Sequence, residues 1–230
     1  LLLDTRTLDL LDEPDARDKS RPGDLHIAEI VKHLVANPSA PATRSLDALT
    51  RNETFNTSWQ RQELLIHALA VQRPLSPESL AFLDAQGKAD SVNLHIAIDA
   101  LCNNSSEPAL ALLGHKLIDP ALDSLYKIAW MRGPILLHRR DPEMLRAAEK
   151  WLTKGKLDRE LREALAEALF DYRPDEWYAG GEGFPRPAPE PAAKSETAVL
   201  VRRIGQTIIE SDFPEKIKAS VRSTLKLLAP

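Results

Sequence analysis

The densest group of side chains suited to binding chemistry lies between residues 130 and 140. It contains Trp130, Arg132, Arg139 and Arg140. Guanidinium groups bind carboxylates through paired N–H donors, so this interval is a candidate binding site for an acidic partner. The alternative interpretation is a solvated turn between two helices, because short basic runs are common on protein surfaces.

A second group of candidate binding residues lies in a stretch rich in glycine and proline. This group consists of Trp177, Tyr178 and Phe184. An aromatic ring in a flexible segment either packs back on its own domain or contacts a partner, and the sequence leaves both interpretations open.

The sequence carries none of the common enzyme signatures: no glycine-rich phosphate loop, no His-Glu-x-x-His motif, no nucleophile elbow and no acidic calcium loop. The histidines occur singly, at positions 26, 33, 67, 95, 115 and 138, and no two have the i, i+4 spacing of paired metal ligands. Cys102 is the single cysteine, and its place among apolar residues predicts a buried small side chain. We therefore predict no catalytic residue, no metal site and no cofactor.

Composition limits the class of protein. Of the 230 residues, 43% are hydrophobic but only 5% are aromatic, which indicates a core of Leu, Ala, Ile and Val. The net charge of −4 argues against broad nucleic-acid binding, which usually requires a basic excess. No apolar run approaches the roughly 18 residues of a membrane span. The chain begins at Leu1 rather than Met, which leaves the compartment open between the cytoplasm and export after removal of an N-terminal segment.

The stretch from 141 to 172 predicts two amphipathic helices joined by a short turn. Asp141 is expected to cap the first helix, Pro142 to take its first position, and Gly155 to close it in the left-handed conformation. Asp158 then opens the second helix. The apolar positions that recur at helical spacing are Met144, Ala148, Trp151, Leu152, Leu161, Leu165, Ala168, Leu169 and Tyr172. Each helix therefore has one apolar side that a neighbour must cover.

The rest of the chain supplies similar helices at a nearly constant step. Prolines typical of helix starts occur at positions 41, 77, 108 and 142, which are 36, 31 and 34 residues apart by subtraction. The pattern from 41 to 172 resembles the HEAT-like helical-hairpin repeats of α-solenoids, in which hairpins cover one another's apolar sides. This resemblance implies an all-α fold, built as a right-handed stack of antiparallel helical hairpins. A tetratricopeptide-like architecture is a second interpretation, on the positions of Leu113, Gly114 and Ala129.

Two segments between these helix starts are less regular. Asp119 and Pro120 are expected to open a helix whose apolar residues are Leu122, Leu125, Ile128 and Ala129. The segment from 92 to 98 alternates apolar and polar residues as a strand would, yet we predict a helix there. The apolar pattern extends past strand length, and a lone strand would leave its backbone groups without partners.

The predicted organisation has four parts. Residues 1–23 form an acidic lead-in interrupted by proline, and residues 24–178 form the helical-repeat domain. Residues 179–194 form a linker rich in proline and glycine. Residues 195–230 form a C-terminal helical hairpin, whose first helix is capped by Ser195.

These patterns predict a non-catalytic helical-repeat scaffold that binds a protein or peptide partner and not a nucleic acid. One alternative is an enzyme that resembles the HEAT-like DNA base glycosylases, with Trp130, Arg132, Arg139 and Arg140 in its groove. The acidic charge balance counts against that alternative. Another is an accessory module of a larger protein, suggested by the missing initiator methionine.

Overall fold

The computed structural model describes residues 33, 34, 36, 40–171, 191, 192 and 195–228. In this part of the chain there are ten α-helices and no β-strand, which confirms the predicted all-α class. The helices are α1 (Ala40–Arg51), α2 (Trp59–Val71), α3 (Pro77–Gln86), α4 (Leu94–Asn104), α5 (Glu107–Ile118), α6 (Ser124–Trp130), α7 (Pro142–Thr153), α8 (Arg159–Phe170), α9 (Glu196–Glu210) and α10 (Glu215–Leu227). The lead-in 1–23 and most of the linker 179–194 lie outside the described residues.

Several helix starts have a side-chain cap or an early proline. The side chains of Ser76, Asp158 and Ser195 accept hydrogen bonds from backbone N–H groups in the first turns of α3, α8 and α9, at 3.0, 2.9 and 3.1 Å. Prolines 41, 77, 108 and 142 all lie within the first two positions of a helix, where a missing N–H costs little. The segment with alternating apolar residues is helical from Leu94, as predicted.

One helix begins later than predicted. Asp119 closes a local turn by accepting a hydrogen bond from the N–H of Ala121 at 2.9 Å, so its side chain does not cap a helix. Asp123 caps α6 instead, accepting from the N–H of Leu125 at 2.8 Å. The prediction that Leu125 lies on the apolar side is wrong, because this residue is 70% exposed. The buried residues of α6 are Lys127 and Trp130.

Two predicted roles in the 141–172 hairpin are also corrected. The Asp141 side chain makes no capping hydrogen bond, because its Oδ2 atom lies 2.7 Å from Nδ1 of His138. Gly155 is not in the left-handed conformation. A Cβ atom on Gly155 would lie 2.3 Å from the carbonyl oxygen of Trp151, so a close backbone approach is what requires glycine at this position.

The chain divides into two compact units, the first being Leu1–Leu112 and the second Leu113–Pro230. In the first unit, α2 packs along α4, α1 contacts α2 and α3, and α3 contacts α4. The Asn93 amide donates to Oε1 of Gln62 at 2.9 Å, where both helices begin. The Asn104 amide donates to the carbonyl oxygens of Leu69 and Gln72 at 2.9 and 2.7 Å, where both helices end. Helices α2 and α4 therefore run parallel.

The core of the first unit lies mainly between these parallel helices. Its almost fully buried side chains include Leu49, Phe55, Leu65, Ile66, Leu69, Leu83, Ala97, Ile98, Leu101 and Cys102. Burial of such aliphatic side chains stabilises a fold by about 1.5–3 kcal/mol each.

In the second unit, α7 packs on α9, α8 packs on α10, and α9 packs on α10. The Arg162 guanidinium lies 5.0 Å from the ring centre of Phe213, just before α10 begins. Near the other end, the Thr224 hydroxyl is 3.5 Å from the carbonyl oxygen of Phe170. Helices α8 and α10 therefore also run parallel, and the C-terminal helices are part of this unit's core. Within the described residues, no helix is long and apolar enough to cross a membrane.

Candidate functional site

The interval from 130 to 140 forms a break in the helical path of the second unit. Trp130 ends α6 and is 2% exposed, and a π-helical turn follows over Met131–Ile135. Pro134 lies inside this turn. Because proline has no N–H group, it interrupts the regular helical hydrogen bonds, and a widened turn accommodates the interruption.

Arg139 and Arg140 are buried, so neither lies on a solvated turn. The Nη1 atom of Arg140 donates to the carbonyl oxygens of Leu169 at 3.0 Å and of Arg139 at 3.1 Å. Leu169 is in the last turn of α8, where carbonyl groups have no partner within the helix. A guanidinium group at a helix C-terminus also opposes the negative end of the helix dipole. Arg140 thus caps the C-terminus of α8.

Arg132 is the exposed member of the predicted basic group. Its Nη2 atom lies 3.3 Å from Oε2 of Glu167 on α8. Of the four predicted residues in this interval, three are therefore buried and the fourth pairs with a carboxylate. The other predicted binding residues, Trp177, Tyr178 and Phe184, lie outside the described residues.

A broader set of exposed side chains lies on the first unit, along one side of α2 and α4. We call it the α2–α4 surface; its members are Trp59, Glu63, His67, Val71, Val92, His95, Asp99 and Asn103. All are exposed except Glu63, which is partly exposed. On each helix the members recur every four residues, apart from Val92 just before α4, and this spacing forms a ridge along a helix surface.

The two ridges are close enough for their charges to interact. The His67 Nε2 atom lies 3.7 Å from Oε1 of Glu63 on the same helix. Desolvation by the surrounding protein atoms raises the pKa of the Asp99 carboxyl, while the charges of His95 and His67 act in the opposite direction. His67 is on α2 and Asp99 on α4, so titratable groups from both helices meet at this surface.

The sequence patterns did not indicate this surface, because its charged partners lie far apart along the chain. Asn93 bonds to a residue 31 positions earlier, and Asn104 to one 32 positions earlier. His67 and Asp99 are separated by 32 positions, and Glu63 and His95 by the same step. This separation of 32 positions lies within the range of the spacings between the helix-opening prolines, 31 to 36, but equals none of them.

No group of three or more histidine, cysteine or acidic side chains in the described ranges is arranged to hold a metal ion. No protein-family model, curated protein or solved structure matches this chain. Function is therefore inferred from the geometry of the two units.

Proposed function

We propose that the chain is a non-catalytic helical-repeat scaffold, and that its α2–α4 surface binds a protein or peptide partner. The observation that carries the proposal is the parallel pairing of α2 and α4. Their bonded residues are separated by 31 to 35 positions, which is close to the 31 to 36 positions between successive helix-opening prolines. Repeat proteins bring equivalent helices of successive hairpins together in this way, and the resulting continuous surface is what they use for binding.

The same pattern supports a stack of antiparallel hairpins, and we propose that the stack is right-handed, as the resemblance to HEAT-like solenoids implies. In the first unit the hairpins are α1–α2 and α3–α4, with α1 against α3 and α2 against α4. In the second unit they are α7–α8 and α9–α10, with α7 against α9 and α8 against α10. Each unit thus repeats the contact between equivalent helices.

The composition of the α2–α4 surface suits a protein partner. Trp59, Val71 and Val92 are 50%, 58% and 73% exposed. Protein interfaces are enriched in aromatic residues, and exposed apolar side chains release water when a partner covers them. The polar members between them would supply hydrogen bonds that fix the orientation of the partner.

The glycosylase alternative receives no specific support from the second unit. An enzyme of that kind needs exposed cationic groups that reach phosphates. Arg139 and Arg140 are buried, and the Arg140 guanidinium donates to backbone carbonyl groups.

A peptide-display experiment tests the proposal. A random-peptide library is selected on the intact chain, and recovered peptides are titrated against three proteins: the wild type, a Trp59→Ala/Val71→Ser variant, and a control Leu125→Ser/Val199→Ser variant. The control removes exposed apolar side chains from the second unit. Circular dichroism verifies that each variant is folded.

We expect saturable binding that weakens at least about tenfold in the Trp59→Ala/Val71→Ser variant, because a tryptophan that a partner buries often contributes a large share of the binding energy. The control should bind as the wild type does. Selection of no binding peptide, or equal binding by both variants, would contradict the proposal.

A further inference from the structure

The α2–α4 surface carries a negative charge at its middle. Glu63 and Asp99 are among its members, and none of its members is lysine or arginine. Arg61 is two residues from Glu63, which at helical spacing places it on the opposite side of α2. Arg73 follows the end of α2, and its guanidinium donates to the carbonyl oxygen of Asn104 at 2.6 Å.

The apolar members lie at the ends of the same surface. Trp59 and Val92 are at the N-terminal end of the parallel helices, and Val71 is at the C-terminal end of α2. Twelve residues separate Trp59 from Val71, which corresponds to about 18 Å along a helix axis. Glu63 and His67 lie between them.

We propose that the partner is a helical protein segment with a lysine or arginine near its centre and apolar residues on either side. This inference rests on the proposed function and names the chemistry of its partner. The basic side chain pairs with Glu63 and Asp99, and the flanking apolar residues cover Trp59 and Val71. A helix fits because the four-residue ridges of α2 and α4 have the spacing against which the side chains of a third helix can pack.

Charge also distinguishes this partner from other occupants. The phosphates of a nucleic acid and the headgroups of an anionic membrane would be repelled by the two carboxylates. A cationic side chain is attracted, and at this exposed site the attraction weakens as salt increases.

The test uses three synthetic amphipathic helical peptides that differ only in a central residue: arginine, glutamine or glutamate. Fluorescence anisotropy measures binding of each to the intact chain. The variants are Glu63→Gln/Asp99→Asn and a matched control, Glu53→Gln/Glu160→Gln, which removes the same charge from exposed positions elsewhere. A labelled single-stranded oligonucleotide serves as the polyanionic probe.

We expect the arginine peptide to bind at least about threefold more tightly than the glutamine peptide, with the glutamate peptide weakest. This preference should disappear in the Glu63→Gln/Asp99→Asn variant and persist in the control. Absence of arginine-peptide binding, a preference unchanged by the variant, or oligonucleotide binding that the variant alters would overturn the inference. Display peptides that bind the surface without a basic residue would also overturn it, while leaving the scaffold proposal standing.

Discussion

The buried guanidinium group of Arg140 caps the C-terminus of a helix in the second unit. The basic run in the sequence did not predict this role. Arg140 reaches the last turn of α8 through its bond to Leu169. The run of charges indicated a surface, because arginine is usually exposed. Only the chain path through the π-helical turn brings this guanidinium group to the end of α8.

Replacing Arg140 tests that role. In an Arg140→Met variant the Leu169 carbonyl loses this donor, and we expect the free energy of unfolding to fall by about 1–3 kcal/mol. Urea denaturation followed by circular dichroism measures it. The control is Arg132→Met, which breaks the exposed pair with Glu167 and should cost less than about 1 kcal/mol. Equal effects of the two substitutions would show that Arg140 has no special structural role.

The thiol of Cys102 should be unreactive in the folded chain. It is completely buried, and burial raises its pKa well above the ordinary value, with Asp99 adding to the effect. Because the thiolate is the reactive form, we expect almost no labelling by an aromatic disulfide reagent under native conditions. In urea one thiol per chain should react. Rapid native labelling would show that the core of the first unit is open.

The carboxylate of Asp99 is predicted to lower stability at neutral pH. Its folded pKa is raised, so the folded state binds a proton more readily than the unfolded state. The loss in free energy of unfolding is fully present above the raised pKa of the folded state, and it disappears as the pH falls below the ordinary pKa of an aspartate. Asp99→Asn should therefore raise the free energy of unfolding at pH 7, by less than about 1 kcal/mol because the site is exposed, and not at pH 3; urea denaturation at the two pH values measures it. An increase in the free energy of unfolding that is the same at both pH values would contradict the raised pKa of Asp99.

At the scale of the helix, two glycines with different surroundings give a matched pair of substitutions. A Cβ atom on Gly114 of α5 would lie 2.4 Å from Nε1 of Trp151 on α7, whereas a Cβ on Gly133 would meet nothing within 4 Å. We expect Gly114→Ala to lower the free energy of unfolding by about 1–3 kcal/mol through overpacking. Gly133→Ala should be neutral or stabilising by up to about 1 kcal/mol. Denaturant titration measures both, and a cost at Gly133 exceeding that at Gly114 would contradict the packing described.

The helices themselves were largely predictable, because their signals are local. A serine or aspartate side chain that accepts a hydrogen bond from a backbone N–H of the first turn marks the starts of α3, α8 and α9. In α3 the capping serine is followed by proline. A predicted cap is absent where another side chain binds the capping residue. Asp141, for example, is hydrogen-bonded to His138 and not to the first turn of α7. Such competition depends on the position of another side chain, which local patterns do not contain.

The candidate site was not predictable in the same way, because it depends on the register between two helices. Glu63 and Asp99 are ordinary exposed acids when each helix is considered alone. They become one surface only when α2 lies parallel to α4 with an offset near 32 residues. The proline spacing, 31 to 36 residues, approximated that offset but indicated neither the exact register nor which faces would be exposed.

At the scale of the whole chain, the separation in sequence between bonded residues differs between the two units. In the second unit Phe170 and Thr224 are 54 positions apart, as are Glu149 and Arg203, compared with 31 to 35 for the bonded residues of α2 and α4. The additional positions lie mainly between α8 and α9, in the stretch rich in proline and glycine. Sequence alone left undetermined whether the helices beyond that stretch belong to the same core.

The parallel pairing of α2 and α4 is the central claim, and intramolecular cross-linking tests it most directly. In a Cys102→Ala background, cysteines are placed at exposed positions of the two ridges and treated with a short bifunctional thiol reagent. Pairs in parallel register are Glu63→Cys/His95→Cys and Val71→Cys/Asn103→Cys. The crossed pair is Glu63→Cys/Asn103→Cys, about 12 Å out of register. We expect mass spectrometry to find efficient cross-links in both parallel pairs and almost none in the crossed pair; preferential cross-linking of the crossed pair would contradict the account.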